Sequence, residues 1–117
     1  MKWFKRLFGS NVKSAQQPPD RITGKIIRKD VIYDTDNMDY LTSFEAGRGG
    51  GDEGYEVLES IYRLKSGQWI IFEALLQDFS KMRQVTLVSD DEVYQRLVYQ
   101  KEVALAERHF PDRLSRA

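Results

Sequence analysis

Hydrophobic positions in the middle of this sequence cluster into short runs between polar and glycine-rich stretches, which is the pattern of consecutive β-strands. The two clearest runs lie within residues 55–76 and flank Ser66 and Gly67. Both runs are rich in β-branched and aromatic residues, which are typical of strands. Glycine adopts positive φ angles at no steric cost, and serine side chains hydrogen-bond their own backbone in turns. The pattern therefore predicts a β-hairpin with a two-residue connection at Ser66 and Gly67.

Weaker patterns on both sides of this hairpin predict further strands and connections. In chain order they are a strand at 21–30 that 31–33 continue or pair with, a strand at 39–45, a flexible glycine-rich loop at 47–54, a polar connection or single helical turn at 77–84, and a short strand at 85–88. A short helix that begins at Asp36 or Asn37 is the alternative to the strand at 39–45.

An amphipathic segment near the C-terminus predicts a helix. Ser89 and Glu92 have the spacing of a capping box, in which the serine oxygen accepts a hydrogen bond from the amide three residues later. Helical spacing continues to Arg108, and Pro111 ends it. The stripe expected to face the core is Val93, Tyr94, Leu97, Val98, Ala104 and Leu105. Together the elements predict an α+β domain, a small antiparallel β-sheet with a long C-terminal helix packed on one face.

The strand that follows Gly67 is apolar on both faces. Its apolar residues are Trp69, Ile71 and Leu75 on one face and Ile70, Phe72, Ala74 and Leu76 on the other. Either this strand lies in the centre of the sheet with both faces covered, or one face is a partner surface.

The first eight residues form a basic amphipathic segment, with apolar side chains on one helical face and basic ones on the other. So short a helix is marginal in water, so it needs an anionic membrane, a partner or the domain itself as a surface, or stays disordered. The candidate contact residues are Trp3, Phe4, Lys5, Arg6, Leu7 and Phe8. Because a polar linker with two prolines follows, the chain divides into segment 1–8, linker 9–20, domain 21–110 and tail 111–117.

Length and composition fit a single small domain. The chain has 117 residues, 41% of them hydrophobic, and no cysteine, which excludes disulfides and thiol chemistry. No apolar run approaches the ~18 residues that cross a bilayer, and the first residues lack the apolar core of a secretory signal. We expect a cytoplasmic protein, with attachment to the inner face of the membrane through residues 1–8 as the alternative.

The net charge of zero conceals two oppositely charged stretches. Residues 1–29 carry eight basic side chains and one acidic one, a net charge of +7, whereas residues 30–60 carry one basic and nine acidic ones, a net charge of −8. Either the two stretches neutralise each other within the fold, or they face different partners. Because the acidic stretch would repel phosphates, we do not expect nucleic-acid binding.

Three motifs resemble functional sites but are better explained as local structure. The glycines at 49, 51 and 54 match a dinucleotide fingerprint, but acidic residues lie inside it and a strand pattern follows. The acidic turn from Asp34 to Asp39 has only part of the calcium-loop pattern. His109, the one histidine, is expected to act as a cation at a helix C-terminus. We therefore expect no catalytic residues, no cofactor and no metal.

Three short motifs together resemble small, uncharacterised bacterial proteins often found on phages and mobile elements. The motifs are Tyr33-Asp34-Thr35-Asp36, Ile61-Tyr62-Arg63-Leu64-Lys65-Ser66-Gly67-Gln68-Trp69 and Leu87-Val88-Ser89-Asp90-Asp91-Glu92. The match spans residues 31–100, but the glycines that such proteins tend to have after the hairpin are absent from 73–84. The resemblance implies a similar fold and a mobile-element setting, and it transfers no catalytic residues.

The favoured hypothesis is a non-enzymatic protein-interaction or regulatory module. It is motivated by the charge separation, the apolar strand and the lack of a catalytic motif. Its acidic and aromatic sheet surface would bind a protein partner through Asp34, Asp36, Asp39, Glu56, Glu59, Tyr62 and Trp69. A peripheral membrane protein tethered by residues 1–8 is the alternative. An unrecognised enzyme is the third hypothesis, and a pocket with clustered, perturbed carboxylates would favour it.

Overall fold

The computed structural model describes residues 20–117, which fold into an α+β arrangement. Its strands are β1 (Lys25–Arg28), β2 (Val31–Asp34), β3 (Asp39–Arg48), β4 (Tyr55–Arg63), β5 (Trp69–Leu75) and β6 (Asp78–Val88). Its helices are α1 (Asp90–Tyr99) and α2 (Val103–His109), and single 3-10 turns lie at Thr35–Asn37, Gly51–Glu53 and Pro111–Arg113. The predicted α+β class is confirmed.

Two antiparallel sheets make up the β structure of the described residues. The larger one is a four-stranded meander in the order β3-β4-β5-β6, and the smaller one is the β1–β2 hairpin. In the meander, Glu59 lies directly opposite Glu73 and Ile61 lies opposite Ile71. The outer strands are β3 and β6, so the central strands β4 and β5 are paired along both edges.

The hairpin predicted within residues 55–76 is confirmed as β4 and β5, but its connection is longer than two residues. The Leu64 amide donates to the Gln68 carbonyl at 2.8 Å, and the Gly67 amide donates to the Leu64 carbonyl at 2.8 Å. These bonds close a three-residue loop in which Gly67 has a φ of +96°. Glycine at the positive-φ position is what such a loop requires.

A strand does form within the predicted range 21–30, but it is shorter than predicted. Strand β1 covers only four residues, and β2 pairs back on it through Lys29 and Asp30, whose φ angles are +52° and +66°. The strand predicted at 39–45 extends to Arg48 as β3. The alternative helix at Asp36 or Asn37 is wrong, because only one 3-10 turn forms there, capped by the Asp34 side chain.

The polar connection or single helical turn predicted at 77–84 is wrong, because residues 78–84 belong to strand β6 and only Gln77 lies in a turn. An edge strand exposes many of its side chains to water, so these side chains are polar. The sequence therefore lacks the apolar residues that would identify the strand. Register shifts opposite Glu73, Ala74 and Leu75 also interrupt its alternation.

The long C-terminal helix is also wrong, since two short helices replace it. Helix α1 ends at Tyr99, and the chain turns at Lys101, which has a φ of +60°. The turn resets the helical phase, so α2 buries Ala106 and exposes Ala104. In the predicted stripe, Val93 and Leu97 are buried, Tyr94 and Leu105 are half-buried, and Val98 is exposed. The predicted cap is confirmed, with Ser89 Oγ accepting from the Glu92 amide at 3.2 Å.

Both faces of the four-stranded sheet carry a buried cluster, which we call the helix face and the hairpin face. The helix face packs against α1 and α2 through Leu41, Ile61, Trp69, Ile71, Val88, Val93, Leu97, Ala106 and Phe110. The hairpin face packs under Ile22 and the β1–β2 hairpin, and its buried residues are Ile22, Leu58, Tyr62, Ile70, Phe72 and Ala74. The apolar strand is therefore central and covered on both faces.

Candidate functional site

Two buried carboxylates mark the candidate site on the helix face. Glu59 of β4 and Glu73 of β5 are directly opposite each other and are 2% and 5% exposed. Like charges at directly opposed positions destabilise a sheet, and buried carboxylates need partners. Their partners are two arginines, and we call Arg48, Glu59, Glu73 and Arg96 the charged cluster.

The two arginines reach the carboxylates from different elements. Arg48 of β3 donates from Nη2 to Glu59 Oε2 at 2.6 Å and to Glu73 Oε1 at 2.8 Å. Arg96 of α1 donates from Nη1 to the other oxygen of Glu59. Glu59 thus ties the edge strand and the helix to the centre of the sheet. Arg96 Nε is buried and has no hydrogen-bond partner among the described residues.

The protonation of Glu59 is set by opposing effects. Burial raises the pKa of its carboxyl above the usual value, because the charged form loses its hydration. Arg96 and Arg48 oppose this effect, whereas the neighbouring Glu73 adds to it and raises the pKa further. Burial and the second carboxylate prevail, so Glu59 holds its proton to a higher pH than a solvated glutamate does.

A groove of about 750 Å³ lies beside the charged cluster, between residues 44–48 of β3 and the outer side of α1. Phe44, Glu59, Gln95, Arg96 and Tyr99 are among the residues that line it. Its volume is in the range of ligand sites, which usually combine apolar walls with a few convergent polar groups. A smaller cavity of about 100 Å³ lies between Arg96 and β6.

The described residues that line this groove offer charged, polar and apolar contacts to a ligand. Both oxygens of Glu59 already accept hydrogen bonds from guanidinium groups, which compete with a substrate proton for them. Among residues 20–117, neither histidine nor serine lines the groove to supply a base or a nucleophile. Within residues 20–117 no group of three His, Asp or Glu side chains is placed to hold a metal ion.

The structure separates the seven predicted partner-binding residues. Glu59, Tyr62 and Trp69 are each 2% exposed, so a partner cannot reach them in this fold. The Tyr62 hydroxyl donates to the Ile22 carbonyl at 2.6 Å on the hairpin face, whereas Trp69 Nε1 donates to Asp90 Oδ1 at 2.7 Å on the helix face. The remaining four are at or near the surface, namely Asp34, Asp36, Asp39 and Glu56.

Other predicted sites have simple placements. Asp34 Oδ1 accepts from the Asp36 amide at 3.0 Å and so caps the 3-10 turn. His109 ends α2 with its ring 5.9 Å from that of Trp69, and burial lowers its pKa, with Arg108 and Arg63 lowering it further.

The candidate contact residues Trp3, Phe4, Lys5, Arg6, Leu7 and Phe8 lie outside the described residues. No helix in the described part of the chain has the length and apolar character to cross a membrane.

Sequence reasoning missed four residues of the site, which are Arg48, Glu73, Arg96 and Tyr99. One signal for the carboxylate pair was present, because Glu59 lies seven residues before Ser66 and Glu73 seven after it. A hairpin centred on Ser66 places them opposite each other. The arginines carried no such signal, since their approach depends on how β3 and α1 pack.

Comparison of the chain with protein-family models, curated proteins and solved structures gives no match. The resemblance to small proteins of mobile elements therefore stays a prediction, and the function has to be argued from the groove and its residues.

Proposed function

We propose that this chain is a non-enzymatic protein-interaction module whose partner binds in the groove between β3 and α1. The observation that carries the proposal is the groove itself, which combines apolar walls with three members of the charged cluster, Arg48, Glu59 and Arg96. The surface expected from the sequence is replaced here, because Glu59, Tyr62 and Trp69 are buried.

An exposed aromatic side chain at the groove supports a macromolecular partner. Tyr99 lines the groove and is 83% exposed, so most of its ring projects beyond the walls. Val98 and Val103, which flank it along the chain, are 48% and 64% exposed. Exposed tyrosines are frequent anchors of protein interfaces because a rigid ring buries a large area on binding.

Capture from native cell lysate tests this proposal, with the full chain, its Tyr99→Ala variant and its Leu87→Ala variant as baits. Leu87 is also exposed, at 53%, but it lies on the far edge strand β6 and serves as the matched control. We expect a protein that the wild type and Leu87→Ala recover equally and that Tyr99→Ala loses at least about fivefold. Equal recovery by all three baits would place the partner elsewhere and contradict the proposal.

Acid–base catalysis at Glu59 is the second candidate, because the raised pKa of a buried carboxyl beside a groove is typical of catalytic acids. The two guanidiniums that occupy its oxygens argue against this role. An NMR titration of Glu59 with a midpoint in the neutral range would favour catalysis. A midpoint close to that of a solvated glutamate would leave the carboxyl without a proton to donate.

A further inference from the structure

We infer that the groove accepts a lysine or arginine side chain from an extended segment of a partner protein, and that this segment pairs with the free edge of β3. The inference rests on the proposed function and adds the chemical class of the partner.

The first argument is the balance of charge in the groove. The buried carboxylates of Glu59 and Glu73 balance the two guanidiniums of Arg48 and Arg96, with which they form ion pairs. This leaves the carboxylate of Glu92, which lines the groove on α1. Its side chain is 50% exposed and meets Arg96 only at 3.5 Å.

The second argument is the character of the walls. Phe44 lines the groove on the β3 side, and Tyr99 lines it on the α1 side. A cation over an aromatic face is attracted by the ring quadrupole, and the aliphatic stem of lysine or arginine packs on apolar surface. Aromatic rings combined with the exposed carboxylate of Glu92 therefore favour a long basic side chain over an acidic one.

The third argument is the position of the groove along an edge strand. In the described residues β3 pairs only with β4, so its outer edge presents unpaired amide and carbonyl groups. An extended segment can pair with such an edge, and its alternate side chains then point toward the helix face. Residues 44–48 of β3 line the groove, so a side chain with this direction enters it.

Two blocked heptapeptides test the inference directly. Their sequence is Thr-Val-Thr-X-Thr-Val-Thr, where X is lysine in one and the uncharged norleucine in the other. With the full-length protein we expect the lysine peptide to bind about tenfold more tightly, the combined effect of an exposed ion pair and a cation–π contact. The bound peptide should shift the amide NMR signals of Ala46 and Gly47.

A matched pair of variants assigns the effect to the groove. Glu92→Gln and Asp91→Asn remove the same charge from adjacent positions of α1, but only Glu92 lines the groove. We expect Glu92→Gln to weaken binding of the lysine peptide about two- to fivefold, and Asp91→Asn to change it by less than about 1.5-fold.

Several outcomes overturn the inference. They are tighter binding of the norleucine peptide, equal effects of the two variants, signal shifts away from β3, and no binding of either peptide at millimolar concentration. If the lysate experiment still shows a partner that depends on Tyr99, only the basic, extended character of the partner fails. Loss of that dependence would remove the proposed function as well.

Discussion

The two faces of the central strands are equally buried but are closed in different ways. On the hairpin face, apolar and aromatic side chains pack together, and the polar groups among them are paired. The Tyr62 hydroxyl donates to the Ile22 carbonyl, and Ser60 Oγ accepts from the Ile22 amide at 2.9 Å. On the helix face, an apolar cluster lies beside the charged cluster, which borders an open groove.

The lengths of the covering elements explain this difference. Helix α1 has ten residues and a length of about 15 Å, whereas the nine residues of β4 extend for about 30 Å. Helix α1 alone is therefore too short to cover the full length of the central strands. The charged cluster is only partly closed, because the side chains of Arg48 and Arg96 are 34% and 31% exposed whereas Glu59 and Glu73 are buried. Because α1 covers the helix face incompletely, this face has both the charged cluster and the groove beside it.

The largest effect is expected on the closed face, from Phe72→Ala. Phe72 is fully buried, with its ring edge-on to Tyr33 and Tyr62 at 6.3 and 5.6 Å. Removing the ring leaves a cavity that the surrounding side chains cannot fill, so the free energy of unfolding should fall by about 3–5 kcal/mol. Urea denaturation followed by circular dichroism measures the change. The exposed Leu87→Ala should cost less than about 0.5 kcal/mol, and similar costs for both variants would contradict a closed hairpin face.

On the open face, Arg96→Met should cost about 2–4 kcal/mol near pH 8. Methionine keeps the packing of the arginine stem but leaves one oxygen of Glu59 without its partner. The pKa of Glu59 is already raised in the folded protein, and this substitution raises it further. The folded state then holds a proton that the unfolded state has lost, so stability falls as the pH rises from the unfolded pKa through the folded one.

Two comparisons sharpen this second prediction. The cost of Arg96→Met should shrink as the pH falls below the usual pKa of glutamate, where Glu59 is protonated in both states, and Glu59→Gln added to Arg96→Met should recover stability at pH 8. Arg108→Met, at an exposed position of α2, should have almost no effect. A pH-independent cost for Arg96→Met would mean that the guanidinium contributes packing and not charge.

The elements that sequence predicted well are those with local signals. Ser89 caps α1 because its side-chain oxygen reaches an amide only three residues away. Gly67 turns the central hairpin because its positive φ is unfavourable for other residues. These features depend on neighbours in the chain, so the sequence contains them directly.

The failures have non-local causes. Strand β6 is polar because it is an edge strand, and the C-terminal helix is broken at Lys101, a position with no proline or glycine to announce it. The groove could not be predicted, since it forms where α1 packs on the sheet and leaves residues 44–48 of β3 only partly covered. Glu59 was interpreted as a surface charge because nothing in the sequence indicates that two arginines reach it.

The smallest effect concerns His109, which lies on the well-covered part of the helix face beside Trp69. Burial, Arg108 and Arg63 lower its pKa, so the folded state binds its proton less readily than the unfolded state does. The contribution of neutral His109 to the free energy of unfolding is complete above the usual histidine pKa of about 6.5 and is lost as the pH falls through the lowered pKa of the folded state. Between pH 7.5 and 5, the wild type should therefore lose more stability than His109→Gln, by less than about 1 kcal/mol. Urea titrations at both pH values measure the difference between the two proteins. If His109→Gln lost as much stability as the wild type, the imidazole would be as solvated as in the unfolded chain, and the helix face would be open at α2 as well as at the groove.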